Sequence, residues 1–433
     1  MNNLIVYKTR KWIIEMPKKW WFPWLIAGVA LRLVLMPITF HPDLLVHSYA
    51  GYFFAYQWQL NIYDFLAHLP TTHPLVQHYN YADLFIYPPL TYYTFGIFRL
   101  LVKPFADPNY IPWVWSHLGS LYSNKELYLH LFLFKLPYLF FDIALGFILS
   151  NFFKGQKKKK LTFSLWMFNP VTIYATFMMG QFDLLPAFFT ILAIYLIQKG
   201  HKVWSVVSLG VAACYKIYPL FFVVPAAFIE GDKFWEKIKL IALGFAPYIL
   251  FALPFISSPA FREMVLFNAK DQKMLFMVFM LTGAEGVYPF IIGLIIIFFI
   301  SYFAGKGRDI TYYFLAILLL FYSVTSYHPQ WFLWVAPLLI YELVKNNLKH
   351  WPLIATLFVC WLAITLLFEA SLSYGLFSPI FPQLANAPSL SDTISRYTNV
   401  YQLKSILRSI FAGDSVYYLY LLFSEKKAIG DTI

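Results

Sequence analysis

Charge is what this sequence has least of. Of its 433 residues, 12% are Asp, Glu, Lys or Arg and 60% are hydrophobic. A soluble domain carries about 25% charged residues, so that balance excludes one and defines an integral membrane protein. Cysteine is nearly absent, and Cys214 and Cys360 both stand in apolar segments, which argues against a disulfide framework. No paired-Cys or His-Glu-x-x-His ligand spacing occurs, and no repeat of fixed period is found. The first apolar run is long and lacks the small-residue site of a cleavable signal peptide. No soluble domain is expected at either end, so residues 1–433 read as one membrane domain.

Aromatic residues, by contrast, make up 21% of the chain. Trp and Tyr favour membrane–water interfaces, where the ring is half buried and the polar tip stays wet. The net charge of +12 is not a nucleic-acid signal. Most basic residues fall in short runs between apolar segments, at 8–19, 154–160, 199–202, 233–239, 306–308, 345–349 and 426–427. Cytoplasmic loops have that distribution.

A bilayer core about 30 Å thick needs about 20 apolar residues per helix. Spans are expected near 20–39, 128–153, 161–179, 184–198, 203–215, 218–229, 238–255, 288–303, 310–325, 331–344, 351–368 and 406–423. The pair 203–215 and 218–229 is short and reads equally as a tilted hairpin around Lys216. The expected fold is an all-α polytopic membrane protein of about twelve helices, with both termini cytoplasmic and a long first extracytoplasmic loop, 40–126. If the apolar run 88–102 crossed the membrane, Lys154 and the lysines at 157–160 would lie outside, against the positive-inside rule. That run is therefore expected as an interfacial helix on the outer surface. The loops 40–126, 180–183, 257–287, 326–330 and 369–405 then share the outer side, and with them nearly every residue suited to chemistry.

Asp43 follows the first span directly, after the stiffening Pro42. A carboxylate there, beside apolar surface, is expected to have its pKa raised by desolvation and to serve as a base for a hydroxyl; the plainer role is a cap at the helix exit. His41, Asp43 and His47, with Asp64, are also metal-ligand types, since imidazole and carboxylate suit several ions; a metal is not favoured. In Gly180-Gln181-Phe182-Asp183, Asp183 is placed to cap the next helix, or with Gln181 to bind sugar hydroxyls. Lys216 and His328 suit a phosphate, as a point charge and a hydrogen-bond donor; the alternatives are a snorkelling lysine and an interfacial histidine. Arg262, Lys270 and Lys273 form a looser basic cluster for a diphosphate or lipid headgroups. Arg32 and Asp142 lie within spans and are expected to form a structural ion pair, with Lys135 joining it.

Taken in order, Asn61-Ile62-Tyr63-Asp64, Tyr87-Pro88-Pro89-Leu90-Thr91, Asn169-Pro170 and Gly180-Gln181-Phe182-Asp183 resemble the GT-C superfamily of glycosyltransferases. The series resembles prokaryotic polyprenyl-phosphate-sugar mannosyltransferases most, while Tyr87-Pro88-Pro89-Leu90-Thr91, the long loop and the span ending in lysines resemble the dolichyl-phosphate-glucose enzymes of lipid-linked glycan assembly. Where the glucose enzymes carry Gly-His-Phe-Gln, this chain has Gly-Gln-Phe-Asp, which departs from the glucose pattern. The resemblance implies an inverting transfer with Asp43 as base. Lys216, His328 and Arg262 would meet the donor phosphate, and Asp64, Tyr87, Gln181 and Asp183 the sugar or acceptor.

The function expected is transfer of a mannose- or glucose-class hexose from a polyprenyl-phosphate donor to a glycan or lipid-linked acceptor outside the cytoplasm. No cofactor or metal is implied, the partners are those substrates and membrane lipids rather than nucleic acid, and the location is a plasma membrane or, in a eukaryote, the ER membrane. A transporter or flippase of lipid-linked sugar is the alternative. Transporters often carry internal repeats and broken midplane helices, whereas here the polar residues gather at one surface.

Overall fold

A computed structural model describes residues 19–78, 80–304 and 308–424. The basic stretch before Lys19, Lys306, Lys426 and Lys427, and with them both termini, lie outside the described residues. Among those described, the chain is nearly all helix, apart from a two-stranded hairpin, β1 (Phe279–Met280) with β2 (Gly286–Val287). The longer helices are α1 (Phe22–Ile38), α2 (Asp43–Gln57), α3 (Pro89–Val102), α4 (Glu126–Asn151), α5 (Gln156–Met167), α6 (Leu184–Gln198) and α7 (Lys202–Ala213). They continue as α8 (Leu220–Glu230), α9 (Phe234–Phe255), α10 (Pro289–Ala304), α11 (Ile310–Val324), α12 (Ala336–Lys345), α13 (Trp351–Leu366) and α14 (Val400–Ser424).

Among the described residues α4, α9 and α14 are long and apolar enough to cross a bilayer singly; α1 and α2 pass together but bend by 89°. The other apolar helices are shorter: α6, with 15 residues, rises only about 23 Å at 1.5 Å per residue. Fewer helices therefore reach spanning length than the twelve spans read from the sequence. The segment 161–179 shows why. Its helix α5 ends at Met167, the Asn169 side chain accepts from Val171 N–H to start a new turn at Pro170, and Ile173–Met178 winds as a π-helix. Residues 203–215 and 218–229 form α7 and α8, and α7 packs against α6 and α9.

The stretch after Phe40 is not simply a loop. Residues 43–57 form α2, a helix that bends by 89° from α1 and is buried on most sides, His47, Ser48 and Tyr49 included. It needs no apolar run of spanning length, so hydropathy does not disclose it. Helix α2 packs along α3, and Gly96 permits the closeness: a Cβ there would stand 2.2 Å from the Phe54 ring. Pro89 opens α3 at a position where the missing N–H is not needed.

Candidate active site

The turn between α1 and α2 is held by a buried lysine. Past Ile38 the backbone of Thr39 is extended, leaving carbonyls at the end of α1 without helical partners. Lys135 Nζ donates to the carbonyls of Met36 (2.9 Å), Thr39 (2.6 Å) and Met178 (3.0 Å), tying this end to that of the π-helix. Lys135 thus does not join the Arg32–Asp142 pair, as the sequence suggested; unsatisfied carbonyls are nearer and claim its ammonium. Arg32 and Asp142 themselves meet at 2.7 Å, both wholly buried, and Arg32 also donates to Met167 O at 2.7 Å.

Asp43 opens α2, where the helix dipole favours an anion. Its Oδ2 accepts from Gln181 Nε2 at 2.8 Å and lies 3.6 Å from His41 Nδ1, which accepts the Asp43 N–H at 3.2 Å. Burial pushes the Asp43 carboxyl up, but His41, His47, the Gln181 bond and His328 outweigh it and hold the group below the ordinary carboxylate value. The rise expected from desolvation is corrected by these neighbours. Burial lowers His41, and burial with the nearby Lys273 charge pushes His328 down to about 4. At neutral pH the site therefore holds a carboxylate among neutral imidazoles.

Gly180 takes φ +81°, and a Cβ on it would stand 2.5 Å from Leu44 Cδ1. This left-handed turn lets Gln181 fold back onto Asp43 and sends Asp183 the other way. Asp183 does not cap α6 with its side chain. Its Oδ1 accepts instead from Lys216 Nζ at 2.7 Å and Trp334 Nε1 at 2.6 Å. Gln181 and Asp183 are thus both buried, and neither lines the cavity described next. The Tyr215–Lys216 turn is tied to α3 by Thr94, whose hydroxyl meets the Tyr215 hydroxyl at 3.0 Å. Thr91, the last residue of the Tyr-Pro-Pro-Leu-Thr segment, donates to the Tyr215 carbonyl at 3.4 Å, beside the lysine. Tyr63 does the same for Tyr87, donating to its carbonyl at 2.7 Å.

Asp43, His47, Tyr87, Lys216 and His328 face one cavity of about 420 Å³. Asp83, Lys273 and Gln330 complete its polar lining. Its other walls are apolar and reach between helices, through Phe221 of α8, Tyr248 of α9, Phe290 of α10 and Ile317 and Phe321 of α11. Two further sequence candidates, Asp64 and Arg262, also fall elsewhere. Asp64 accepts from Asn61 Nδ2 at 2.7 Å and from Ser258, and Arg262 donates to the carbonyls of Ile256 (2.9 Å) and Ser257 (3.2 Å). Asp64 thus ties its segment to the 257–287 loop, and Arg262 closes a turn within that loop. Lys273 of the same basic cluster does reach the cavity, and the Lys270 side chain lies outside the described residues. Among the described residues no three His, Cys, Asp or Glu side chains converge as a metal-ligand set.

Sequence reasoning passed over Asp83 and Trp334. A 3₁₀-helix over Pro329–Trp334 turns every three residues. It stacks Trp331 on Trp334 with ring centroids 5.2 Å apart, and Tyr218 lies 4.1 Å from Trp334 on a parallel plane. The i, i+3 spacing of the two tryptophans was the available signal, hidden because a membrane span was expected to begin there.

Apolar and helical, the chain has the make-up of a membrane protein, with one cavity that two acids, Asp43 and Asp83, and two lysines, Lys216 and Lys273, line. The profile of glycosyltransferase family 87 matches residues 85–324, more than half of the chain, and the chain belongs to that family. Tyr87 and Lys216 fall inside the matched region, Asp43 and His328 outside it. The chain is also similar to GPI mannosyltransferase 1 of Candida albicans, 24% identical over 151 residues, 33% of this chain. The similarity spans 34% of that relative's length. No solved structure matches.

Proposed function

We propose that the protein moves a hexose of the mannose or glucose class from a polyprenyl-phosphate donor to a glycan or lipid-linked acceptor on the extracytoplasmic side. One observation carries the reading: Asp43, Lys216 and His328 share the polar end of a cavity whose other end is walled by largely apolar side chains between helices. An isoprenoid tail suits the apolar part, and a sugar phosphate the polar end. The mannosyltransferase similarity supports the hexose class.

In the proposed step Asp43 takes the proton of an acceptor hydroxyl as its oxygen bonds to the anomeric carbon from the face opposite the donor phosphate. The bond from that carbon to the phosphate oxygen breaks, the configuration inverts, and polyprenyl phosphate leaves carrying the electron pair. Lys216 and an N–H of His328 meet the charge that develops on it. Phosphate is already a good leaving group, so the step needs no general acid. Gln181 keeps the carboxylate aimed and Asp183 keeps the lysine aimed.

Sidedness is supported by the opposite end of the molecule. Lys158 donates to Lys345 O at 3.0 Å, and Lys345 pairs with Asp309, so the basic connections 154–160 and 345–349 meet there beside the end of the 306–308 run. The positive-inside rule makes that end cytoplasmic. The decisive assay supplies purified protein in lipid with labelled polyprenyl-phosphate mannose or glucose and glycan or glycolipid acceptors. Transfer that Asp43→Asn abolishes supports the reading; full turnover by that variant sinks it. Movement of the labelled lipid across vesicles without any transfer would establish the transporter alternative.

A further inference from the structure

Between α9 and α10 the chain displays apolar side chains that no helix covers. Phe276 is 66% exposed, Phe279 59%, Met280 57% and Leu281 69%, all on or beside the β1–β2 hairpin. Exposed apolar groups on a spanning helix face lipid and need no further account, but these belong to no helix. A contiguous cluster of this kind marks a surface with a partner. The neighbouring residues identify it. Leu250, Leu253 and Ile256 are exposed at the end of α9 that leads into this region, and Ile291, Ile292 and Ile295 at the start of α10, so the hairpin continues the lipid-facing belt of both helices.

The length of α10 points the same way. Its 16 residues rise about 24 Å, short of a hydrocarbon core of about 30 Å. The inner end of the helix is followed by Arg308, so the missing apolar depth falls at the hairpin end. The same loop also reaches the cavity: Lys273 and Met274, just ahead of Phe276, line it together with Asp43 and His328. Lys273 further lies 5.2 Å from the Trp331 ring, on the His328 side.

We propose that the 276–287 hairpin is seated in the acyl–headgroup boundary of the bilayer on the cavity side and sets the wall between bilayer and cavity. Resting on the reading above, this makes Lys273 the first cation that the phosphate of a membrane-borne donor meets, ahead of Lys216. The hairpin is then a lipid-contacting element of donor capture with no part in the bond-making step.

Two measurements test this. Phe279→Cys, labelled with an environment-sensitive fluorophore in vesicles, should be quenched by lipids carrying a quencher just below the headgroup and shielded from aqueous iodide; Cys214 and Cys360 are buried and stay unlabelled. Quenching by iodide alone would overturn the seating, and this arm reads the hairpin even if the protein transfers no sugar. With Phe276→Ser/Phe279→Ser the KM for a long-chain donor should rise about ten-fold, with kcat and the KM for a water-soluble short-chain donor unchanged. Equal losses on both donors, or none on either, would overturn the capture role while leaving the transferase assignment intact.

Discussion

Lys216 Nζ and the Asp183 carboxylate meet at 2.7 Å, and the same carboxylate oxygen accepts from the Trp334 indole at 2.6 Å. The carboxylate is wholly buried while the lysine keeps an edge on the cavity. The pair thus does two jobs at once, holding the fold and presenting a cation. Breaking a buried pair by removing one partner costs about 3–5 kcal/mol. Asp183→Ala should therefore lower the unfolding temperature in detergent strongly. The double variant Asp183→Leu/Lys216→Met should recover most of that stability in the same melt yet stay inactive. Recovery of transfer by the double variant would deny Lys216 its phosphate role.

Asp43→Asn keeps the shape of the side chain and removes the base. Loss of a positioned general base lowers the rate about 10²–10⁴-fold, and the variant should melt close to the wild type. A single-turnover assay with saturating donor separates this from a binding defect, because the donor affinity should be kept.

The acid side of the pH profile follows from the groups around Asp43. Its carboxyl is held below the ordinary value in the folded protein, so it stays ionised, and able to accept a proton, as pH falls through the usual carboxylate range. Activity tied to Asp43 should decline only below that range. Gln181→Leu deletes the 2.8 Å bond that helps stabilise the anion, so the limb of kcat/KM should move upward in pH. His328 protonates at about 4, and the comparison of variant with wild type isolates the Asp43 contribution. An unmoved limb would remove Asp43 from the rate.

Gly180→Ala carries two penalties at one position. A left-handed backbone costs a residue with a Cβ about 1–2 kcal/mol, and that Cβ would stand 2.5 Å from Leu44, the neighbour of Asp43. Activity should fall further than the modest loss of stability would explain, as read by comparing kcat with the melting temperature. Equal activity in the two proteins would separate this turn from the catalytic geometry.

Arg32 and Asp142 do not line the cavity and offer a separate stability test. Either Arg32→Met or Asp142→Leu alone should destabilise by about 3–5 kcal/mol, and the double variant by much less. Transfer per folded molecule should be unchanged in the double variant.

The legible part of the fold was the set of long apolar runs. The run 184–198 is α6 residue for residue, and 310–325 is α11 to within one position. What stayed hidden has physical causes. Helix α2 bends by 89° from α1 and lacks a span's hydropathy, and α5 breaks where a single Asn-Pro step offers a new cap. In the site, Asp43, Lys216 and His328 stood out because each is a chemically able residue at the edge of an apolar run. Which acid would face the cavity was not legible. Asp64 and Asp83 both belong to the segment 40–126, and Asp64 is engaged by Ser258 while Asp83 stays at the cavity.

The ammonium of Lys135 has a consequence for engineering. It binds Met36 and Thr39 on one side and Met178 on the other, so the acid-bearing corner and the Gly-Gln-Phe-Asp corner are clamped together by a third segment distant from both in the chain. A chimera that grafts the segment matching residues 40–126 from a relative onto this scaffold would inherit the acid without its clamp. Only transplants that carry the lysine and both corners as one cassette would keep the acid aimed.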